Sequence, residues 1–522
     1  MNKVLLTLLV LILCVCSCAQ AKPAKVGVLA PIGQDEKDII QWTENVADLE
    51  GRVRMFRNKS SITIYDDLNA MVMALKAGQV DRISIGLHTA RYIAARDSDF
   101  ELIDNNYNAV MGYAVALREE DKAKLLGINL AIQKMRADGT LERLIKENIL
   151  TIEDKDPKAV EIPKFEGEDT IRVAVTGDLP PMDCILADGT PAGFNTAFLA
   201  ELAKHIKKNI ELVSVSAGAR QSAIASGRVD ALFWTRNVYN RTFQLLPYPV
   251  DKVSGVVISE PYLLESRAAV AMRQPEEGAK LRYIAQLKTQ KLAAQRGTVG
   301  QYIAEDMLGD SNGKLLTTFE KYVDAIAALR QGKVRAVVMD EMPAKRFLNE
   351  IEGITMMDKA LSEENYAIGF RKGNTELVEQ VNKILAEMKA DGTLEGIFAK
   401  YLAGDYSSVK PEDIDFSKGA KGGKLYVGTE AGFAPYELRV GSGFIGIDVE
   451  MCAHIAKKLG KELVILNMNF DALPTAVSTG KVDMICAGIT VTDERKENMD
   501  FSDNYVVGAK QVAVVRADDY EE

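Results

Sequence analysis

The chain has 522 residues, 47% of them hydrophobic and 26% charged, with a formal net charge of −10 at neutral pH. A length of that order holds several cores at ~150 residues each, and the composition is that of a globular protein. The acidic balance argues against a nucleic-acid partner, which would favour a basic stripe. The three histidines, His88, His205 and His454, have no metal-ligand spacing, so no structural metal site or cofactor is expected.

In chain order, Lys3 and the apolar run 4–15 read as an export signal, too short to span a membrane comfortably. The small-x-small "AQA" at 19–21 predicts a mature start near Lys22. "VCSC" also resembles a lipobox, and the alternative is a lipid anchor at Cys18. Either way the expected location is periplasmic or extracytoplasmic, with membrane contact only through that anchor. Cys184, Cys452 and Cys486 remain, an odd set that cannot pair completely. Buried thiols are expected, with a Cys452–Cys486 disulfide as the alternative.

Residues 22–150 form a first block. The stretch 151–169 is acidic, carries two prolines and reads as a linker. In the middle block, 170–403, "TIRVAVTG" predicts a strand, "FNTAFLAELAKHIKK" a helix with Phe198, Leu199, Leu202 and Ile206 on one side, and "IELVSVS" a second strand. Such alternation predicts α/β layers with mostly parallel sheets. A second linker, 404–423, leads to the last block, 424–522.

The blocks repeat one another. "MRADGTLERLIKENI" from Met135 matches "MKADGTLEGIFAKYL" from Met388. "YDDLNAMVMALKAGQVDRISIG" from Tyr65 matches "FEKYVDAIAALRQGKVRAVVMD" from Phe319, and "GKVDMICAG" from Gly480 matches "GRVDALFWT" from Gly227. The first block therefore copies the second half of the middle block, and the last block copies its first half. The order predicts a complete unit at 170–403 inserted into a circularly permuted unit built from 22–150 and 424–522. The cut matches a short connector near 278–290, where permutation is tolerated. Swapped pairing between two molecules is one alternative. Mixed pairing, with the last block closing on the second half of the middle block, is another.

The marks "FAPYE", "GIDVEM", "GKVDMI", "AGITVTDER" and "DFSDNY" in the last block resemble the first half of type 2 periplasmic binding proteins. Within that class they are similar to the family 3 solute-binding group that serves polar amino-acid ABC transporters. With the repeats, the resemblance covers 26–517. It implies two bilobal α/β units, each lobe a mostly parallel sheet flanked by helices, closing over a ligand by hinge motion. It also implies that the ADGTLE helices lie on the first lobe, and that the partner beyond the ligand is a membrane ABC permease.

A zwitterion leaving water needs a partner for each charge, and arginine can meet a carboxylate with two parallel hydrogen bonds. The resemblance implies Arg495 as the α-carboxylate clamp, with a hydroxyl from Thr490 and backbone near Gly488. It places Phe433 and Phe470 as aromatic walls and Glu430 as an acidic side-chain selector. In the middle block, Thr298 and Asp340 match the carboxylate and ammonium contacts. The two expected units depart from the pattern in opposite halves. Gly86 replaces the ammonium-binding aspartate in the first block. Leu179, Ala217 and Thr242 replace Phe433, Phe470 and Arg495 in the middle block, where Arg241 or Arg236 is the substitute cation and Trp234, with Tyr239, the wall. For the permuted unit three readings stay open: a ligand without an ordinary ammonium, substitution by Glu430 or another residue, or an inactive site. The leading expectation is an exported, non-enzymatic binding protein for amino acids or related small solutes. The alternatives are a sensory or partner-binding protein with degenerate sites and, less favoured, a cyclohexadienyl-dehydratase-like enzyme with Glu341 as general acid.

Overall fold

The structure, a computed structural model, describes residues 24–34, 37–38, 61–103, 110–152, 155–239, 251–276, 278–309, 312–403 and 408–521. The expected export signal with Cys18, and the expected site residue Arg241, lie outside the described residues. No helix among the described residues is long and apolar enough to cross a membrane.

The chain divides into two compact units, Met1–Gln274 and Pro275–Glu522. This corrects the expected division. Residues 170–403 do not close as one body; their first half folds with the residues before it and their second half with the residues after it. Both units therefore read second lobe first. The connectors 151–169 and 404–423 each join the ADGTLE helices to the first strand of the same lobe. Contiguous pairing avoids the long loop that an insertion of more than two hundred residues would have to close.

In the first unit, Lys25–Leu29 pairs in parallel with Ser61–Tyr65 and Arg82–Gly86. Alternating buried side chains such as Val26 and Val28 mark its apolar face. The antiparallel strand Leu263–Met272 adds to Arg82–Gly86 and Phe100–Ile103, completing the second lobe. The first lobe pairs Thr170–Val175 in parallel with Asn209–Ser214 and Ala231–Tyr239, with Val110–Arg118 antiparallel to the last of these. Leu263–Met272 also pairs with Val110–Arg118, so these two strands carry the chain between the lobes.

The second unit repeats the plan. Leu292–Gln295 lies between Leu316–Phe319 and Ala336–Asp340, all parallel. Val506–Arg516, from the last block, is antiparallel to Ala336–Asp340 and to Ser362–Tyr366. In its first lobe Lys424–Thr429 pairs in parallel with Glu462–Asn467 and Met484–Ile485, and Gly369–Arg371 is antiparallel to Met484–Ile485.

The ADGTLE turns work alike. Gly139 and Gly392 take φ of 80° and 79°, a left-handed turn open to glycine, and each starts a short helix. As the resemblance implied, both helices lie on first lobes. Arg143 reaches Glu201 at 3.3 Å in one; in the other Lys400 and Tyr401 meet buried Glu450 at 2.5 and 2.9 Å. Cys184, Cys452 and Cys486 are buried free thiols, so the alternative disulfide is not formed.

Candidate functional site

The cleft of the second unit gathers eight of the expected residues from both lobes. Thr298, Asp340, Glu430, Phe433, Phe470, Gly488, Thr490 and Arg495 line one cavity, joined by Gln295 and Gln511. The sequence reading had divided these residues between two sites. The two well-formed half-sites belong to a single unit, which accounts for their complementary losses.

Arg495 sits in the short helix Asp493–Asn498, whose cap Thr492 accepts from the Arg495 N–H at 3.2 Å. Its guanidinium donates to the Thr490 carbonyl at 2.8 Å and, across the cleft, to the Gly297 carbonyl at 2.9 Å. It lies 5.5 Å from the centre of the Phe470 ring, close enough for a cation–π contact. Burial lowers its pKa, but an arginine starts high enough to stay charged. Thr490 donates its hydroxyl to Glu364 at 2.7 Å.

Asp340 ends the strand Ala336–Asp340 and is 5% exposed. It accepts from the Tyr322 hydroxyl at 2.9 Å, from Gln511 Nε2 at 2.8 Å and from the Tyr366 hydroxyl. Burial, with the nearby Glu364 charge, pushes its carboxyl up to about 6 against the pull of the tyrosine hydrogen bonds. Burial likewise raises the Glu430 carboxyl, opposed by a hydrogen bond to Gln295. Thr298 caps the helix Val299–Leu308; its hydroxyl donates to the Gln295 carbonyl at 2.7 Å and accepts from the Gln301 N–H.

Phe433 packs among Tyr436, Tyr322 and Tyr366, at ring-centre distances of 5.4, 6.2 and 6.5 Å. Gly488 makes that approach possible: its φ is +53°, and a Cβ there would lie 2.4 Å from the Phe433 ring. Its N–H donates to Asp448 at 2.9 Å, so that group is committed inside the lobe rather than turned to a ligand. About 10 Å³ of space remains among the lining side chains, room for about one water. Admission of a larger solute therefore requires the lobes to part.

Sequence reasoning missed Gln511, Glu364, Tyr322 and Tyr366. Gln511 is the one polar residue in "QVAVV", a signal the pattern offered. Trp234 lies on the strand Ala231–Tyr239 opposite Ala114, in the first unit, whereas Asp340 and Thr298, with which it had been grouped, belong to the second.

The profile of the bacterial extracellular solute-binding proteins, family 3, matches residues 171–404 and 425–521. These segments make up more than half of the chain, and the chain belongs to that family. Among curated relatives, the arginine-binding extracellular protein ArtP of Bacillus subtilis is 43% identical over 82 residues, 16% of this chain and 32% of ArtP. The chain thus aligns with about a third of that relative's length. The L-cystine-binding protein TcyJ of Escherichia coli is 24% identical over 244 residues, 46% of this chain and 86% of TcyJ. Among solved structures, arginine-bound domain 1 of TmArgBP is 39% identical, covers 19% of this chain and 82% of its own, and has a TM-score of 0.16.

Proposed function

We propose that this is an exported receptor that captures an amino acid in the cleft of its second unit and delivers it to an ABC permease. The carrying observation is that Arg495 and Asp340, taken from separate blocks of sequence, line one cavity from opposite lobes. Arg495 takes the α-carboxylate and Asp340 the α-ammonium, while Phe433 and Phe470 wall the side chain. Asp340 and Glu430 set two carboxyl groups against one guanidinium in the lining, which favours a ligand of net positive charge. The names of relatives that bind arginine or histidine agree with that preference. The site works by binding and lobe closure and asks no residue for a chemical step. Delivery requires a permease that reads the closed form, and export fits the signal-like first residues.

The test is a thermal-shift screen with L-arginine, L-lysine, L-histidine and neutral amino acids. A ligand that binds only the folded state raises the melting temperature by mass action. A basic amino acid should raise it, and Arg495→Ala should abolish the rise. A rise with a basic amino acid that survives Arg495→Ala, or no rise with any of the three basic amino acids, refutes this assignment. Ligand-dependent uptake by cells lacking the protein tests delivery separately.

A further inference from the structure

We propose that the cleft of the first unit is a second binding site, rebuilt for a small zwitterionic amino acid, with Glu265 as the ammonium partner and Arg220 as the carboxylate partner. Neither residue occupies the position that does this work in the second unit.

The carboxylate has moved to the neighbouring strand. In the second unit Asp340 ends its strand opposite Gln511. In the first unit Gly86 ends the matching strand opposite Arg267. Glu265, two residues from Arg267, is on the same face of its strand and turns its carboxylate into the space that Gly86 leaves open. A Cβ on Gly86 would lie 2.4 Å from Glu265 Oε2. Glu265 is 3% exposed and accepts from the His88 N–H at 2.8 Å. It also hydrogen-bonds Tyr113. Tyr113 opens "YAVALR" as Tyr366 opens "YAIGFR", so the matching tyrosine serves the carboxylate in each unit.

The guanidinium has moved to another helix. Arg220 begins Arg220–Ala225 and donates to the Ala217 carbonyl of its own lobe at 3.0 Å. Across the cleft it donates to the Ala30 carbonyl at 2.7 Å. Ala30 follows Lys25–Leu29 as Gly297 closely follows Leu292–Gln295, so Arg220 repeats the bridging geometry of Arg495. No ion pair among the described residues joins Glu265 to Arg220 or Arg267, so the cleft is not locked by its own charges.

The cavity also has room. With Leu179 in place of an aromatic wall, it holds about 130 Å³, against about 10 Å³ in the second unit. A cavity of that order admits about six non-hydrogen atoms, the size of glycine, alanine or serine. Asp183, Asp251 and Arg267 complete the charged lining, which sets three carboxyl groups beside two guanidinium groups.

The test uses the full chain carrying Arg495→Ala, so that it does not depend on the second unit's site. Calorimetric titration compares glycine, L-alanine and L-serine with propionate, which lacks the ammonium, and ethylamine, which lacks the carboxylate. At least one zwitterion should bind, and the two truncated probes should bind at least about 100-fold more weakly, as expected when a buried charge is left unpaired. Adding Glu265→Gln, which preserves size and hydrogen bonding, should weaken the zwitterion at least about tenfold. Should Glu265→Gln alter the circular dichroism spectrum, Arg220→Lys provides the same test, since lysine keeps the charge but loses the fork. The proposal is overturned if no zwitterion binds, if propionate matches alanine, or if a folded variant at Glu265 or Arg220 binds as well as its parent.

Discussion

On the proposed assignment, Asp340 makes ligand capture sensitive to pH. An α-ammonium needs the ionised carboxylate, and burial holds that carboxyl up to about 6. At pH 5 about a tenth of Asp340 is ionised, so affinity for a basic amino acid should fall about tenfold from its value at pH 7. Glu430, also raised by burial, acts in the same direction, while Arg495 stays charged throughout. Calorimetry at the two pH values measures this, and equal affinities would exclude Asp340 as the ammonium partner. The stability linkage of the ligand-free protein runs the other way. Across about pH 4–6 the folded state keeps a proton on Asp340 that the unfolded chain has released, so this contribution is present at the acid end and lost as pH rises through about 6. At Gly488, the positive φ and the Phe433 ring 2.4 Å from a would-be Cβ leave no room for alanine. Gly488→Ala should cost about 1–3 kcal/mol in urea unfolding; an unchanged midpoint would show that the turn relaxes freely.

At the scale of elements, the ADGTLE helix of the second unit is held by one buried acid. Glu450, 3% exposed on the helix Ile447–Lys458, meets both Lys400 and Tyr401 of the helix Thr393–Leu402. Glu450→Ala removes the hydrogen bond from Tyr401 and the ion pair with Lys400, at a cost of about 1–3 kcal/mol. Hydrogen exchange should accelerate in 393–402 before it changes in the strand Lys424–Thr429, which is anchored on both edges. Uniform acceleration across both segments would mean that this helix does not open as a separate piece.

For the whole molecule, the division after Gln274 makes a prediction opposite to the order of sequence repeats. Fragments 22–274 and 275–522 should each unfold in one cooperative transition, because each contains both lobes of a unit. Fragment 170–403, which reads as an uninterrupted family copy, should not. It carries the strand Ala336–Asp340 without its antiparallel neighbour Val506–Arg516, and the strand Ala231–Tyr239 without Val110–Arg118. Urea unfolding followed by circular dichroism checks all three. A cooperative 170–403 fragment would restore the inserted-unit arrangement.

Family, fold class and most of the lining of the second unit's candidate site were legible in the sequence, because the "AGITVTDER" and "VVMDEMPA" segments each place their side chains by local geometry. A strand end presents Asp340, and a capped helical turn presents Arg495. Which half closes on which was not legible. Both pairings satisfy the same strand patterns, and loop closure together with the strand partners of Val110–Arg118 and Val506–Arg516 decided between them. The same limit hid Gln511 and Glu265. Each is a polar residue within an apolar strand whose meaning depends on the register of a strand distant in sequence. From Gly86 alone the first unit reads as having lost its carboxylate; only the fold brings Glu265 into the space that the glycine leaves open.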